Sequence, residues 1–201
     1  MLKYNRIIVK GGDFLSKQKA TGILLYPRFS EYELSVLLSV LRQGGKKVIY
    51  LGLDHEPVKG EGGLPCIPET TIHDINLENI DSLVLPGVDD FKHLVNHEEL
   101  SAFLKKANDQ KRLIGAISSA PYLLSMSGLL DHKKYTTGLT FEQRRFLGTF
   151  NEKNYSSSNV VIDKNMITAK GSAFIEFAFG FGDLLNLKFN KDWYIKYSVY
   201  R

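Results

Sequence analysis

Ser118 stands at an abrupt change from strand to helix, in the run IGAISSAP at 114–121. A side chain at such a turn is held up at the edge of a sheet, with the backbone N–H groups that follow aimed at whatever it attacks. This is the geometry of a nucleophile elbow. The same turn opens a helix and so offers an anion site. Ser118 or Ser119 could equally do no more than cap that helix. Glu33 belongs to the same sheet edge and also has two readings. Ser30-Glu31-Tyr32-Glu33 has the form of a capping box, in which Glu33 returns to the Ser30 amide. Alternatively its carboxyl reaches across to the Ser118 turn. A serine hydroxyl is a poor nucleophile unless a neighbouring base takes its proton, and a carboxylate is a weak base for an alcohol.

The other chemically active side chains offer less. Cys66, the only cysteine, lies between Pro65 and Ile67 in an expected hairpin, away from the elbow, and reads as a small packed residue. His55 and His73 flank that hairpin, His97 starts a helix, and His132 precedes a strand expected at 136–137. His93, just past the loop at 86–90, is the one histidine whose position could face the pocket, though packing elsewhere is the favoured reading. Asp89 and Asp90 read as helix-start or solvated residues. The histidines and acids show no metal-ligand spacing, and no Gly-rich phosphate loop follows a strand. No metal and no cofactor is therefore expected.

The elements that position Ser118 and Glu33 alternate between strand and helix from Thr21 onward. The apolar run at 22–26 reads as a strand buried on both faces. Ser30 opens a helix with Leu34, Leu37, Leu38 and Leu41 at helical spacing, and Gly44-Gly45 stops it. Strands follow at 47–53 and 82–85, with an irregular hairpin over 58–74 between them. A helix carrying Glu98 and Glu99 at its start and Lys105 and Lys106 at its end matches the helix dipole. The strand at 113–117 runs into a helical segment over 119–130, then a hairpin over 160–169 and a last helix over about 172–186. Such alternation indicates an α/β fold: a three-layer, doubly wound, flavodoxin-like and mostly parallel sheet with helices on both faces. Ligands bind at the carboxyl ends of the strands in such sheets, which singles out the loops at 27–30, 86–90 and 118–121.

Composition sets the outer bounds. A chain of 201 residues with 43% hydrophobic and 24% charged residues builds a core without disulfides or metals. One cysteine forms no intrachain disulfide, which fits a reducing cytoplasm. No apolar run reaches the ~18–20 residues of a membrane span, and the N-terminal run at 7–9 is too short for a signal peptide. The net charge of +4 comes from scattered pairs such as Lys46-Lys47 and Arg144-Arg145, not from one basic element, so a nucleic-acid partner is not expected. Residues 1–20 read as an N-terminal extension that either adds an edge strand at 6–9 or lies as an arm. The tail at 188–201 carries Phe189, Trp193, Tyr194, Tyr197 and Tyr200. It either packs on the domain or meets another subunit.

The segments LLYPRFSEYE (24–33), VLPG (84–87), AISSAP (116–121), GLLD (128–131) with TT (136–137), and TAKG (168–171) with EF (176–177) occur in family order. Over residues 21–187 the chain resembles the ThiJ/PfpI superfamily, a class I glutamine-amidotransferase-like fold that includes the parkinsonism-associated protein deglycase. The resemblance implies that Glu33 is the glutamate that hydrogen-bonds an elbow cysteine, that the cysteine position is Ser118, and that oxyanion-type amides fall on Val88, after Gly87, and on Ser119. A histidine that often follows the Thr-Thr pair falls on Gly138. The family's thiol and its histidine are thus both missing, while the carboxylate is kept. No histidine follows His132, so a class I glutaminase triad is not expected.

Two readings of function stand side by side. In the first, the chain is a catalytically reduced or inactive member that binds a small molecule or acts through a dimer interface. In the second, it is a hydrolase-, amidase- or lyase-type enzyme using Ser118 with Glu33. A homodimer is expected from the resemblance alone.

Overall fold

The computed structural model describes residues 19–195. β1 (Ala20–Leu25) is buried along its whole length, as a strand covered on both faces must be. α1 (Glu31–Gln43) turns Leu34, Leu37, Val40 and Leu41 inward, and each fully buried leucine contributes roughly 1.5–3 kcal/mol of transfer free energy. There follow β2 (Val48–Gly52), β3 (Val58–Lys59), β4 (Pro65–Cys66), β5 (Thr70–Thr71), β6 (Ile80–Leu85) and α2 (Glu98–Asp109). The second half contains β7 (Leu113–Ile117), α3 (Pro121–Met126), α4 (Phe141–Leu147), β8 (Val160–Asp163), β9 (Met166–Ala169), α5 (Phe174–Leu184) and the short α6 (Asp192–Ile195).

Among the described residues, seven strands form one sheet in the order β5-β2-β1-β6-β7-β9-β8, and β3 and β4 form a separate antiparallel ribbon. Of the described strands of the sheet, only β8 runs antiparallel. α1 packs on α5 and α2 on α3, which gives the flavodoxin-like α/β arrangement expected, with a helical layer on each face. The chain builds outward from β1 to β2 and β5, then returns to β6 on the other side of β1. Strand order therefore reverses between β1 and β6, the place where open sheets bind ligands beyond their strand ends. The loops leaving these two strands are tied together by an antiparallel bridge between Phe29 and Val88.

The structure corrects several boundaries. The helix after the elbow is α3 alone, and it stops where the Ser127 hydroxyl bonds back to the Leu123 carbonyl (2.8 Å) and Gly128 takes a φ of 71°. A hydroxyl that competes with the helical ladder and a left-handed glycine both favour termination. The last helix begins at Phe174, after a 3-10 turn over Gly171–Ala173. Residues 136–137 are not a strand. Tyr135 makes a single bridge to Tyr155, and the Thr136 N–H goes to the Thr168 hydroxyl instead of to a neighbouring strand (2.9 Å). α4 was not anticipated; it opens on a Thr140–Gln143 capping box and closes on Gly148 at φ 69°.

The proposed edge strand at 6–9 lies outside the described residues, as do Tyr197 and Tyr200. The described part of the tail packs on the domain. Phe189 lies 5.6 Å from Phe179, centroid to centroid, and the Tyr194 hydroxyl donates to Ser39 and accepts from Gln43, both at 2.7 Å. No helix among the described residues is long and apolar enough to cross a membrane.

Candidate functional site

β7 delivers Ser118 directly into the reversal before α3. Its φ is 62°, a left-handed conformation that a non-glycine residue adopts at a cost of about 1–2 kcal/mol. Three contacts hold it there. Its N–H donates to the Ala169 carbonyl (2.9 Å), and its own carbonyl receives the Gly138 N–H (2.7 Å) and the Thr137 hydroxyl (2.6 Å). Strain of this kind persists only where the surroundings over-determine it.

Glu33 comes from the first turn of α1 and is 2% exposed. Of the two readings of Glu33, the capping box does not form. The Ser30 N–H goes to the Gly87 carbonyl (2.9 Å), and the Ser30 hydroxyl donates to Glu61 Oε1 (2.7 Å). With both Ser30 groups engaged by neighbouring loops, the Glu33 carboxyl turns away from its own helix. Its Oε2 accepts the Gly87 N–H at 2.7 Å. Burial raises the Glu33 pKa, and the Glu61 charge adds to this, while the Gly87 N–H and the Ser118 hydroxyl favour the charged form and partly offset it. The carboxyl and the hydroxyl meet between two glycines. A methyl group at Gly87 would lie 2.6 Å from Glu33 Oε2 and 3.0 Å from Ser118 Oγ; one at Gly171 would lie 2.9 Å from both Glu33 Oε1 and Ser118 Oγ.

Both side chains open into a cavity of about 520 Å³, within the usual size range of small-molecule sites. Its wall includes five of the six residues singled out in the sequence for the site, namely Glu33, Val88, Ser118, Ser119 and Gly138. Gly87 supports the floor through its amide.

A model of the DJ-1/PfpI family matches residues 19–182. The chain belongs to the DJ-1/PfpI family. It is 32% identical over 159 residues to the glutathione-independent glyoxalase DJR-1.2 of Caenorhabditis elegans, covering 78% of this chain and 83% of that protein. It is 27% identical over 168 residues to the uncharacterized protease YoaZ of Bacillus subtilis, covering 78% of each. Among solved structures, the DJ-1 superfamily protein Atu0886 from Agrobacterium tumefaciens superposes with a TM-score of 0.77 at 26% identity, covering 86% of this chain and 93% of that one. The activities in these names differ, so what they share is the family.

Within this DJ-1/PfpI frame, the amides and the histidine position have particular surroundings. The Val88 N–H donates to the Ser119 hydroxyl (2.9 Å), which in turn donates to the Val88 carbonyl (2.8 Å). The Val88 amide is thus already engaged, and an anion at the elbow would have to displace the Ser119 hydroxyl to use it. The Gly138 N–H is spent on the Ser118 carbonyl, and a Cβ at 138 would lie 3.3 Å from Ser118 Cα. A side chain at Gly138 would therefore press on the elbow.

No histidine borders the cavity. His93 does not face it. With His55, His73 and His97 it lines a separate groove of about 730 Å³ beside β2 and α2, because the 3-10 turn over Lys92–Leu94 carries it toward the ring of Tyr26. Cys66 is half-buried on β4, away from the elbow, and burial pushes its thiol pKa up. The described residues contain no cluster of three or more side chains able to hold a metal ion.

Sequence reasoning missed Tyr32, Glu61, Phe91, Gln143 and Phe146, all of which line the cavity. Glu61 arrives on the loop between β3 and β4. Gln143 and Phe146 arrive on α4, whose start was signalled by Thr140 and Gln143 at capping-box spacing.

Proposed function

We propose that this DJ-1/PfpI chain is a catalytically reduced member that binds a small molecule in the Glu33–Ser118 cavity. The observation that carries this reading is the lack, among the described residues, of any imidazole on the cavity wall, around a serine whose adjacent base there is a carboxyl. A carboxylate takes a proton from an alcohol with difficulty. The engaged Val88 amide supports the same reading, since an oxyanion site works through donors already aimed at the developing charge. A homodimer and a cytoplasmic location belong to this proposal, supported by the family resemblance and by the single cysteine.

The alternative, a hydrolase- or lyase-type enzyme with Ser118 as nucleophile, is favoured by the left-handed elbow at Ser118. A serine-directed fluorophosphonate separates the two readings. The expected result is no labelling of the wild-type protein above the level of Ser118→Ala. Rapid labelling that disappears in Ser118→Ala would establish the enzyme instead. In Ser118→Cys, iodoacetamide is expected to modify position 118 faster than Cys66, whose thiol is held protonated by burial.

A further inference from the structure

The cavity has an unbalanced charge. Among the described residues, three carboxyl side chains border it, Glu33, Glu61 and Asp89, and no lysine or arginine does. Glu33 is buried at the floor, and Glu61 is oriented by the Ser30 hydroxyl (2.7 Å). Arg28 lies 3.6 Å from Asp89, but both side chains are more than half exposed, and such pairs are weak and screened. The overall charge of the protein is positive, so the acidity is local to this opening and not a property of the surface at large.

The remaining wall is apolar and aromatic, with Phe91 half-buried and Tyr32 and Phe146 exposed to 50% and 90%. Ring faces attract cations and also cover apolar surface. Carboxylates beside exposed rings, with no counter-charge among the described residues of the wall, favour a positive head group on an apolar body and repel carboxylates and phosphates.

We propose that the ligand of this cavity is an organic cation, an alkyl or arylalkyl ammonium, its charged head among Glu33, Glu61 and Asp89 and its apolar part against Phe91 and Phe146. This rests on the cavity being the binding site, and it adds the class of ligand. The ammonium N–H groups donate to the carboxylates, and no covalent step is involved. Glu33 charges more readily when a cation sits beside it, so binding strengthens as the pH rises through its titration.

The test uses three probes of similar size on the full-length protein at pH 7.5: 2-phenylethylamine, 2-phenylethanol and phenylacetate, titrated calorimetrically and by amide NMR. The amine is expected to bind at least about 10-fold tighter than the alcohol, a difference of about 1.4 kcal/mol, and phenylacetate not to bind. The amine is expected to shift the Gly138 and Ser119 amide signals and to lose at least 5-fold in affinity in Glu61→Gln, with the alcohol unchanged. Equal or tighter binding of the alcohol or phenylacetate, or no binding of the amine, overturns the cationic class. If a neutral or anionic fragment still shifts those amides, the binding-site reading survives that failure. If a fragment set spanning all three charge classes leaves them unmoved, both fail.

Discussion

Gly87→Ala is expected to abolish ligand binding in the cavity and to lower stability by about 1–3 kcal/mol, the usual cost of forcing a methyl group into a packed site. Gly87 is not in the left-handed region, so the cost comes from volume and not from backbone strain. The new methyl would lie 2.6 Å from Glu33 Oε2 and 2.7 Å from Ser118 Cβ, well inside contact distance. Neither neighbour can easily yield. Glu33 is buried at the start of α1, and Ser118 is pinned by Ala169, Thr137 and Gly138. What gives way is the Gly87 N–H···Oε2 bond, and with it the alignment of carboxyl and hydroxyl. A thermal melt and a 2-phenylethylamine titration of the variant check both parts. Wild-type binding in Gly87→Ala would mean that the two side chains do not form the ligand's floor.

Glu152→Ala is expected to produce the largest loss of stability, about 2–4 kcal/mol, because it strips the counter-charge from a buried cation. The Arg144 side chain is 4% exposed. Its Nε and Nη2 donate to the two Glu152 carboxyl oxygens and its Nη1 to the Leu139 carbonyl, all at 2.8 Å. The guanidinium also stacks 3.7 Å above the Tyr155 ring centroid. Removing Glu152 leaves this group desolvated with one carbonyl as partner. Glu152 is itself one-third exposed, which lets water recover part of the loss and keeps the effect at the lower end for buried pairs. In a domain of this length each kcal/mol shifts Tm by roughly 2–4 °C.

Arg144→Lys is expected to destabilise as well, since an ammonium cannot reproduce the planar fork. The double variant Arg144→Met/Glu152→Leu is expected to melt above Glu152→Ala, because replacing both charges leaves nothing buried and unpaired. The consequence reaches the site: α4, which Arg144 anchors, supplies Gln143 and Phe146 to the cavity, so ligand affinity falls with the anchor. A Glu152→Ala melt indistinguishable from wild type would contradict the anchoring role.

Much of this fold was legible because local and global preferences agree. The apolar run of β1, the helical spacing of Leu34, Leu37 and Leu41, and the passage from β7 into the elbow each point to one structure. The Ser30–Glu33 pattern shows where local reading ends. It fits a capping box as well as a cross-sheet carboxyl, and the choice was made by Gly87 and Glu61, residues distant in sequence that take the Ser30 groups and the Glu33 oxygen. α4 was passed over because its residues are mostly polar and exposed, leaving its caps as the only signal. The engagement of the Val88 amide by Ser119 depends on a hydroxyl rotamer across two loops, which no spacing encodes. The gathering of His55, His73, His93 and His97 in another groove follows from strand order, with β2 and β5 lying on the far side of β1.

The most direct test is the carboxyl 13C resonance of Glu33, titrated in the wild-type protein and in Ser118→Ala. Burial is the main influence on its charge, followed by the Gly87 N–H, the Ser118 hydroxyl, Glu61 and Tyr32. A carboxyl whose pKa is raised by folding favours the folded state at low pH. That contribution is whole below the ordinary value of 4.5 and is lost as the pH rises through the folded value, so ionising Glu33 costs stability. The predicted result is protonation of Glu33 above the ordinary glutamate range, and higher still in Ser118→Ala, where the hydroxyl no longer supports the charged form. A Glu33 that titrates like a surface glutamate and ignores the loss of the Ser118 hydroxyl would contradict the account.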